Sequence, residues 1–449
     1  GSDDAGVIAG RDPGCSGFAP EADLYVFRVF SSEQVSYTSW FLDAFNYALF
    51  LGVDIINLSI GGPDFRDQPF VDKVRELSAN GVVVVSAVGN DGPLYGTQHN
   101  PADQMDTIGV GAVSADGHGV AGFQSRGMTT WELPGGYGRV KPDLIAVGQH
   151  VLGPKAGGAP GQCSGLSGTS VASPVVAGAI ALLASTVPRN RRRDVVNPAS
   201  MKQASPSRLV LTESARRVGR AGIFEQGAGV LDVAEAFRLL SSYTPRASFL
   251  PPELDFTDPY MWPFSRQPLY HGAQPVLFNV TVANGMGVAG SITSLTWVEE
   301  KSTRGASGGV GDMLSVKAEF SEILWPWSGF LAVSLSVSES GRGFQGLVLG
   351  DLQVEIQSEP GPGETQPRIT NAVLPITVNV VRTPARNRRL LWDQFHSVPY
   401  PPVYAPRDYL GDDSDMLDRF GDHPHTNFRT LFDTLLDAGY YVEVLGADW

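Results

Sequence analysis

Gly168-Thr169-Ser170-Val171-Ala172-Ser173-Pro174, running into the apolar stretch 175–187, decides how this chain reads. A hydroxyl stands where a buried helix is expected to begin. Its small neighbours let a carbonyl group approach. Unpaired backbone N–H groups at a helix start face any oxyanion that develops there. Pro174 is expected in the first turn, where its missing N–H is harmless. The bland alternative is that Thr169 or Ser170 merely caps the helix.

Working outward, residues 1–241 alternate strand and helix patterns. Strands are expected at 22–30, 53–60, 82–87 and 107–113, and helices at 37–51 and 69–80. Fully apolar strands between helices imply an α/β domain with a parallel sheet covered on both faces. Functional loops then belong beyond the carboxyl ends of the strands. The apolar run 171–187 is short for a membrane span and holds Pro174 and Gly178, so it reads as a buried helix.

After Ser242 the period changes. Six alternating runs, 276–282, 292–297, 315–320, 330–337, 346–356 and 372–381, predict an antiparallel β-sandwich over 246–384. Residues 389–449 predict a strand, an irregular loop, a helix (426–438) and a strand (440–445). This is the beginning of a further, truncated α/β domain, too small to bury a sheet alone.

Composition narrows the function. The chain has 449 residues, 42% hydrophobic and only 18% charged, which excludes a disordered chain. Its formal net charge of −14 argues against nucleic acid as a partner. Two cysteines, Cys15 and Cys163, exclude a disulfide-dense scaffold and a four-cysteine zinc site, and leave one bridge or two buried thiols open.

Other motifs follow in a fixed order: Asn57-Leu58-Ser59-Ile60-Gly61-Gly62, Ser86-Ala87-Val88-Gly89-Asn90-Asp91-Gly92, Phe123-Gln124-Ser125-Arg126-Gly127, Lys141-Pro142-Asp143-Leu144, then Gly168-Thr169-Ser170, then Gln226-Gly227-Ala228-Gly229. This set resembles the subtilisin-like serine peptidases (subtilases). The resemblance implies a subtilisin-like α/β fold and an Asp, His, Ser triad in that chain order. It assigns Ser170 as nucleophile and Asn90 as side-chain donor of the oxyanion hole. It also implies that Leu58, Ser59, Ile60 and Gly61 form the edge against which a substrate strand lies. Ser86, Ala87, Val88 and Gly89 would then wall the first specificity pocket.

Further segments, among them Trp40-Phe41-Leu42-Asp43-Ala44-Phe45, Pro259-Tyr260-Met261-Trp262-Pro263 and Leu324-Trp325-Pro326-Trp327, resemble the site-1 protease branch of that family. That branch implies a calcium-dependent, membrane-anchored peptidase on the lumenal side of the Golgi and endoplasmic reticulum. Its substrates would be precursors with Arg upstream of the cut, and membrane association would come through segments missing from this chain. The calcium ligands are not placed, and no metal residues are assigned.

The family's histidine motif is matched only from Ala5-Gly6-Val7-Ile8-Ala9 onward. The triad His and Asp are therefore expected upstream of Gly1, and the chain as it stands is expected to be nearly inactive. The alternative is a dead peptidase acting as a binding protein. Asp116-Gly117-His118-Gly119 mimics the missing motif but follows Asn90, so a turn is expected. His99 and His150 read as loop residues, and Asp422-His423-Pro424-His425 as a structural loop. Arg189-Asn190-Arg191-Arg192-Arg193 reads as a solvated surface loop. Arg388-Arg389-Leu390-Leu391 reads as the start of a strand. Asn279-Val280-Thr281 is a glycosylation sequon on an expected strand.

Overall fold

The computed structural model describes residues 2–62, 67–129, 138–155, 157–159, 161–202, 211–212, 214–300, 312–325, 327–361, 363–393, 423–426 and 428–445. Four parallel strands, β1 (Ile55–Leu58), β2 (Val83–Ala87), β3 (Thr107–Val113) and β4 (Leu144–Val147), lie side by side in chain order. β2 and β3 are buried at every residue. Their valine, isoleucine and alanine content, interrupted only by Ser86, Thr107, Gly109 and Gly111, suits a sheet covered on both faces.

Two helices precede β1: α1 (Ser2–Ala9) and α2 (Thr38–Leu51). A third, α3 (Gln68–Ala79), begins at Asp67, whose carboxylate accepts from the Phe70 N–H at 3.3 Å. The apolar run after Ser170 becomes α4 (Thr169–Ser185), which packs on all four strands of the sheet and is buried along most of its length. Among the described residues no helix is long and apolar enough to cross a membrane. The helix Val233–Leu240 also joins this core through Ala236 and Leu240.

The expected strand at 22–30 does not form. The segment has no ladder partner among the described residues, and Leu24, Tyr25 and Val26 are 45%, 56% and 72% exposed. Strand preference is a preference for a paired, half-buried surface. Here Phe27 packs on Tyr47 and Phe30 on Phe41 instead, both on α2.

Two sheets follow. β7 (Ala247–Leu250), β10 (Val276–Asn284), β12 (Leu314–Phe320) and β13 (Trp327–Val337) form one, in the order β12-β13-β10-β7. β8 (Leu254–Asp255), β11 (Gly290–Glu299), β14 (Gly346–Ser358) and β15 (Arg368–Val381) form the other, in the order β11-β14-β15-β8. The long ladders are antiparallel, as the alternating pattern predicts. The short β8 and β9 (Leu269–Tyr270) add to β15 in parallel, which no pattern announced. On β10, Phe278, Val280 and Val282 point into the core. Asn279, of the sequon, is half-buried on the opposite side of the strand.

β16 (Arg389–Trp392) and β17 (Tyr441–Val444) pair in parallel, with the helix Arg429–Asp437 between them in sequence. β16 therefore includes the Arg-Leu-Leu segment, as expected. Two strands cannot bury a sheet, and this unit leans on its neighbours. Trp262 Nε1 donates to Asp433 at 3.1 Å, and Phe432 enters the sandwich core. Arg429 lies over the rings of Tyr95 and Trp262, so one guanidinium joins all three parts of the chain.

His423 and His425 are buried beside this junction, with His425 packed against Trp262 and Phe432. Asp422 lies outside the described residues. Burial pushes the His423 imidazole down from 6.5 to about 3. Burial, and then the charge of His423, likewise lower His425. The unfolded chain binds a proton at His423 near 6.5 while the folded chain refuses it down to about 3. Stability is therefore full above pH ~6.5 and falls with acid by about 1.4 kcal/mol per pH unit for this one group. Urea midpoints measured between pH 7 and 5 are expected to show this slope. His423→Asn, which keeps an acceptor for the His425 N–H, is expected to flatten it; an unchanged slope would refute the assignment.

Candidate active site

The strand order of the sheet places three segments together beyond its carboxyl end. They are the loop after β1 (59–62), the loop after β2 (88–92) and the start of α4. Gly168 precedes α4 with φ 152° and ψ 159°, a conformation that L side chains avoid. A Cβ built there would lie 2.8 Å from Ser170 Oγ and 3.7 Å from Asn90 Nδ2. The hydroxyl and the amide thus flank one point in space, and only a glycine leaves that point open.

Asn90 is exposed, and its amide is oriented from behind. The Thr169 N–H donates to Asn90 Oδ1 at 2.9 Å and the Thr169 hydroxyl to the same oxygen at 3.0 Å. Two donors on one side identify that atom as oxygen, so Nδ2 is turned toward Ser170. Thr169 Oγ1 also accepts from the Gly89 N–H at 3.2 Å. Thr169 is thus no helix cap. The N-cap residue is Gly168, with no side-chain cap bond, which corrects the bland reading of the motif. Pro174 is corrected too: it lies inside α4, past the first turn. Its ring nitrogen has no hydrogen to return to the Ser170 carbonyl, four residues before it.

The edge expected to meet a substrate is tied to the same helix. The Ser173 hydroxyl donates to Asn57 Oδ1 at 2.6 Å, and Asn57 Nδ2 donates to Ser59 Oγ at 2.9 Å. Gly62 and Asn100 exchange backbone hydrogen bonds of 3.1 and 2.8 Å. Leu58 is a core residue, while Ser59 and Ile60 are half-buried and Gly61 is exposed. Ser86, Ala87, Val88 and Gly89 are buried, so what they can offer a ligand is backbone and shape. His118 lies in an exposed turn after β3, as the sequence predicts.

His99, read from sequence as a loop residue, stands between the two walls. Its Nε2 is hydrogen-bonded to the Asp91 carboxylate, directly after Asn90. Both residues lie in the segment that follows β2, eight positions apart.

Cys15 and Cys163 are disulfide-bonded across a sequence separation of 148 residues. Cys163 opens β6 (Cys163–Leu166), which leads into Ser170, and Cys15 follows α1. α1 in turn packs on α4 and on β5 (Val151–Pro154). Cys15→Ser/Cys163→Ser is expected to lower stability by about 2–5 kcal/mol, seen as a shift of the denaturation midpoint that a reductant reproduces in the parent. No shift in either would make the bridge dispensable.

Asp12 is the third member of the single cluster of potential metal ligands among the described residues, with Cys15 and Cys163. Both sulfurs are bonded to each other, and Asp12 accepts from the Gly14 and Gly161 N–H groups. Calcium needs six to eight oxygen ligands. These residues do not fit it. A cavity of about 210 Å³ lies between Val140, Arg217, Ile223, Leu250, Asp258 and Tyr260, and its lining does not include Ser170.

The model of the subtilase family matches residues 1–229. The chain belongs to the subtilase family. Models named for MBTPS1, its third Ig-like domain and its fourth GATase-like domain, match 250–383 and 384–449. The "Membrane-bound transcription factor site-1 protease" of Homo sapiens is 53% identical over 449 residues, covering 99% of this chain and 41% of the relative. The "Subtilisin-like protease SBT6.1" of Arabidopsis thaliana is 52% identical over 444 residues, with the same two shares. Subtilisin E of Bacillus subtilis is 35% identical over 188 residues, covering 41% of this chain and 45% of that one. The chain spans about two fifths of the length of the site-1 protease and SBT6.1 relatives. The subtilase chemistry, serine endopeptidase hydrolysis, is the activity of the family to which it belongs.

Proposed function

We propose that this chain carries the nucleophile and oxyanion hole of a serine endopeptidase of the site-1 protease type. It would cleave lumenal segments of membrane-tethered precursors, transcription factors among them, in the Golgi and endoplasmic reticulum. The observation that carries the reading is Ser170 Oγ and Asn90 Nδ2 flanking the open point above Gly168. A scissile carbonyl placed there has its carbon before Ser170 Oγ and its oxygen before Asn90 Nδ2. Attack converts that carbonyl to an oxyanion. Asn90 Nδ2–H and the Ser170 N–H, which has no acceptor among the described residues, would share its charge. The proton of Ser170 passes to a general base and returns to the leaving amine.

Supporting the substrate class, the loop after β1 offers backbone to an extended peptide. A net charge of −14 favours approach of basic segments, in keeping with Arg upstream of the cut. Membrane attachment is proposed from the relatives, through segments outside this chain.

The test is labelling of the full-length protein with a fluorophosphonate. Ser170-dependent labelling is expected. Its absence would leave a cleft that binds without cutting.

A further inference from the structure

Asn90 stands on a loop that lies along the segment 123–126. The Asp91 N–H donates to Ser125 Oγ at 3.0 Å, the Gly92 N–H to Phe123 O at 2.8 Å and the Gly96 N–H to Arg126 O at 2.9 Å. A Cβ built on Gly92 would lie 1.9 Å from Gln124 O, so the two backbones touch there. The subtilase domain thus holds one side of the loop. The far end is held from elsewhere in the chain.

Tyr95, five residues after Asn90, is 7% exposed. Its hydroxyl is hydrogen-bonded to Glu225, and burial, followed by the charge of Glu225, raises its pKa and keeps it protonated. Glu225 also pairs with Arg126 at 3.1 Å. The Tyr95 ring packs at 76° on Trp262 of the sandwich region, with centroids 5.3 Å apart. The Arg429 guanidinium lies 4.1 Å from the Tyr95 centroid and 4.4 Å from that of Trp262. It is the first residue of the helix Arg429–Asp437, and it bears on both rings at once. Asp433, one turn further, sets the group: Arg429 Nε lies 3.9 Å from its Oδ2, and Trp262 Nε1 donates to its Oδ1 at 3.1 Å. Tyr95 is therefore clamped at its hydroxyl by the subtilase domain and at its ring by two residues beyond position 250.

We propose that Arg429 is a positioning residue for the oxyanion hole: by clamping Tyr95 against Trp262 it fixes the loop that carries Asn90, so the C-terminal unit sets the efficiency of the peptidase. This rests on the proposed peptidase function. Thr169 holds the Asn90 amide by its oxygen, while the backbone of Asn90 follows the loop. A donor to an oxyanion acts within narrow limits of distance, and a misplacement of about 1 Å can cost about 10²-fold. A flat guanidinium can cover two ring faces, which a compact ammonium cannot.

The experiment compares a peptide aldehyde with the matching peptide alcohol on the full-length protein. Both fill the cleft. In the aldehyde Ser170 Oγ bonds to the carbonyl carbon, the carbonyl electron pair moves to oxygen, and the serine proton passes to the general base; the alcohol forms no oxyanion. Arg429→Ala is expected to weaken the aldehyde about tenfold, to leave the alcohol within about twofold, and to lower kcat with KM nearly unchanged. In an Asn90→Ala background the same substitution is expected to add nothing, because the donor it positions is gone. Arg429→Lys is expected to fall between the parent and Arg429→Ala, and it decides by the same comparisons if Arg429→Ala does not fold. Equal weakening of aldehyde and alcohol, or costs of Asn90→Ala and Arg429→Ala that multiply, overturns the proposal. Fluorophosphonate labelling of the parent keeps the two readings apart. No labelling of Ser170 sinks the peptidase reading, whereas labelling with an unchanged aldehyde constant in Arg429→Ala sinks only the role of Arg429.

Discussion

Ser170→Ala in the full-length protein is expected to lower turnover by about 10⁶-fold, the scale of serine removal in subtilisin, with little change in KM. The physical reason is that no neighbouring hydroxyl can take over. Thr169 Oγ1 is committed to Asn90 Oδ1 and to the Gly89 backbone, and Ser173 is committed to Asn57. Both point away from the open space above Gly168. The fold of the variant is expected to match the parent, because Ser170 makes no cap and its side chain is half-exposed. Steady-state hydrolysis of a peptide substrate, with a melting curve as control, measures this. A variant that keeps a tenth of the activity would mean that another group is the nucleophile.

Asn90→Ala is expected to cost about 10²–10³ in kcat and to leave KM nearly unchanged. The amide meets an oxyanion that exists only after attack, so its loss raises the transition state and not the bound ground state. Thr169→Val should cost less, since Asn90 keeps the Thr169 N–H at 2.9 Å and loses only the hydroxyl. The order of the two variants separates donating to the oxyanion from orienting the donor. If Asn90→Ala stays within twofold of the parent, or if Thr169→Val is the worse variant, the oxyanion role is refuted.

The two corrections around Ser170 have a common cause. A motif read along the chain offers local partners, and a hydroxyl before an apolar helix reads as a cap. In the structure Thr169 finds Asn90, 79 positions away, because β2 ends beside the start of α4. Pro174 reads as a first-turn residue only if the helix begins later than it does. The position of Gly168, held against Asn90 and Ser170, makes it begin at Thr169. The segment 22–30 fails for the converse reason. Its composition suits a strand, but a strand also requires a neighbour with free backbone groups, which composition does not report.

By itself the sequence determined the class of the three regions, the parallel order implied by apolar strands alternating with helices, the alternating strands of the sandwich, and the pairing of a serine with a glycine-flanked asparagine as candidate chemistry. The first three depend on periodicity or on neighbours a few residues apart, which the chain carries wherever it folds; the pairing of Ser170 with Asn90 came from resemblance to the subtilases. Only the tertiary structure decided that Thr169 aims Asn90, that Cys15 meets Cys163, that Arg429 bridges three regions, and that His99 fills the gap between Gly61 and Gly89. Each is a contact between side chains or backbone far apart in sequence. It is set by where strands end and how helices cross them, and no local pattern encodes that.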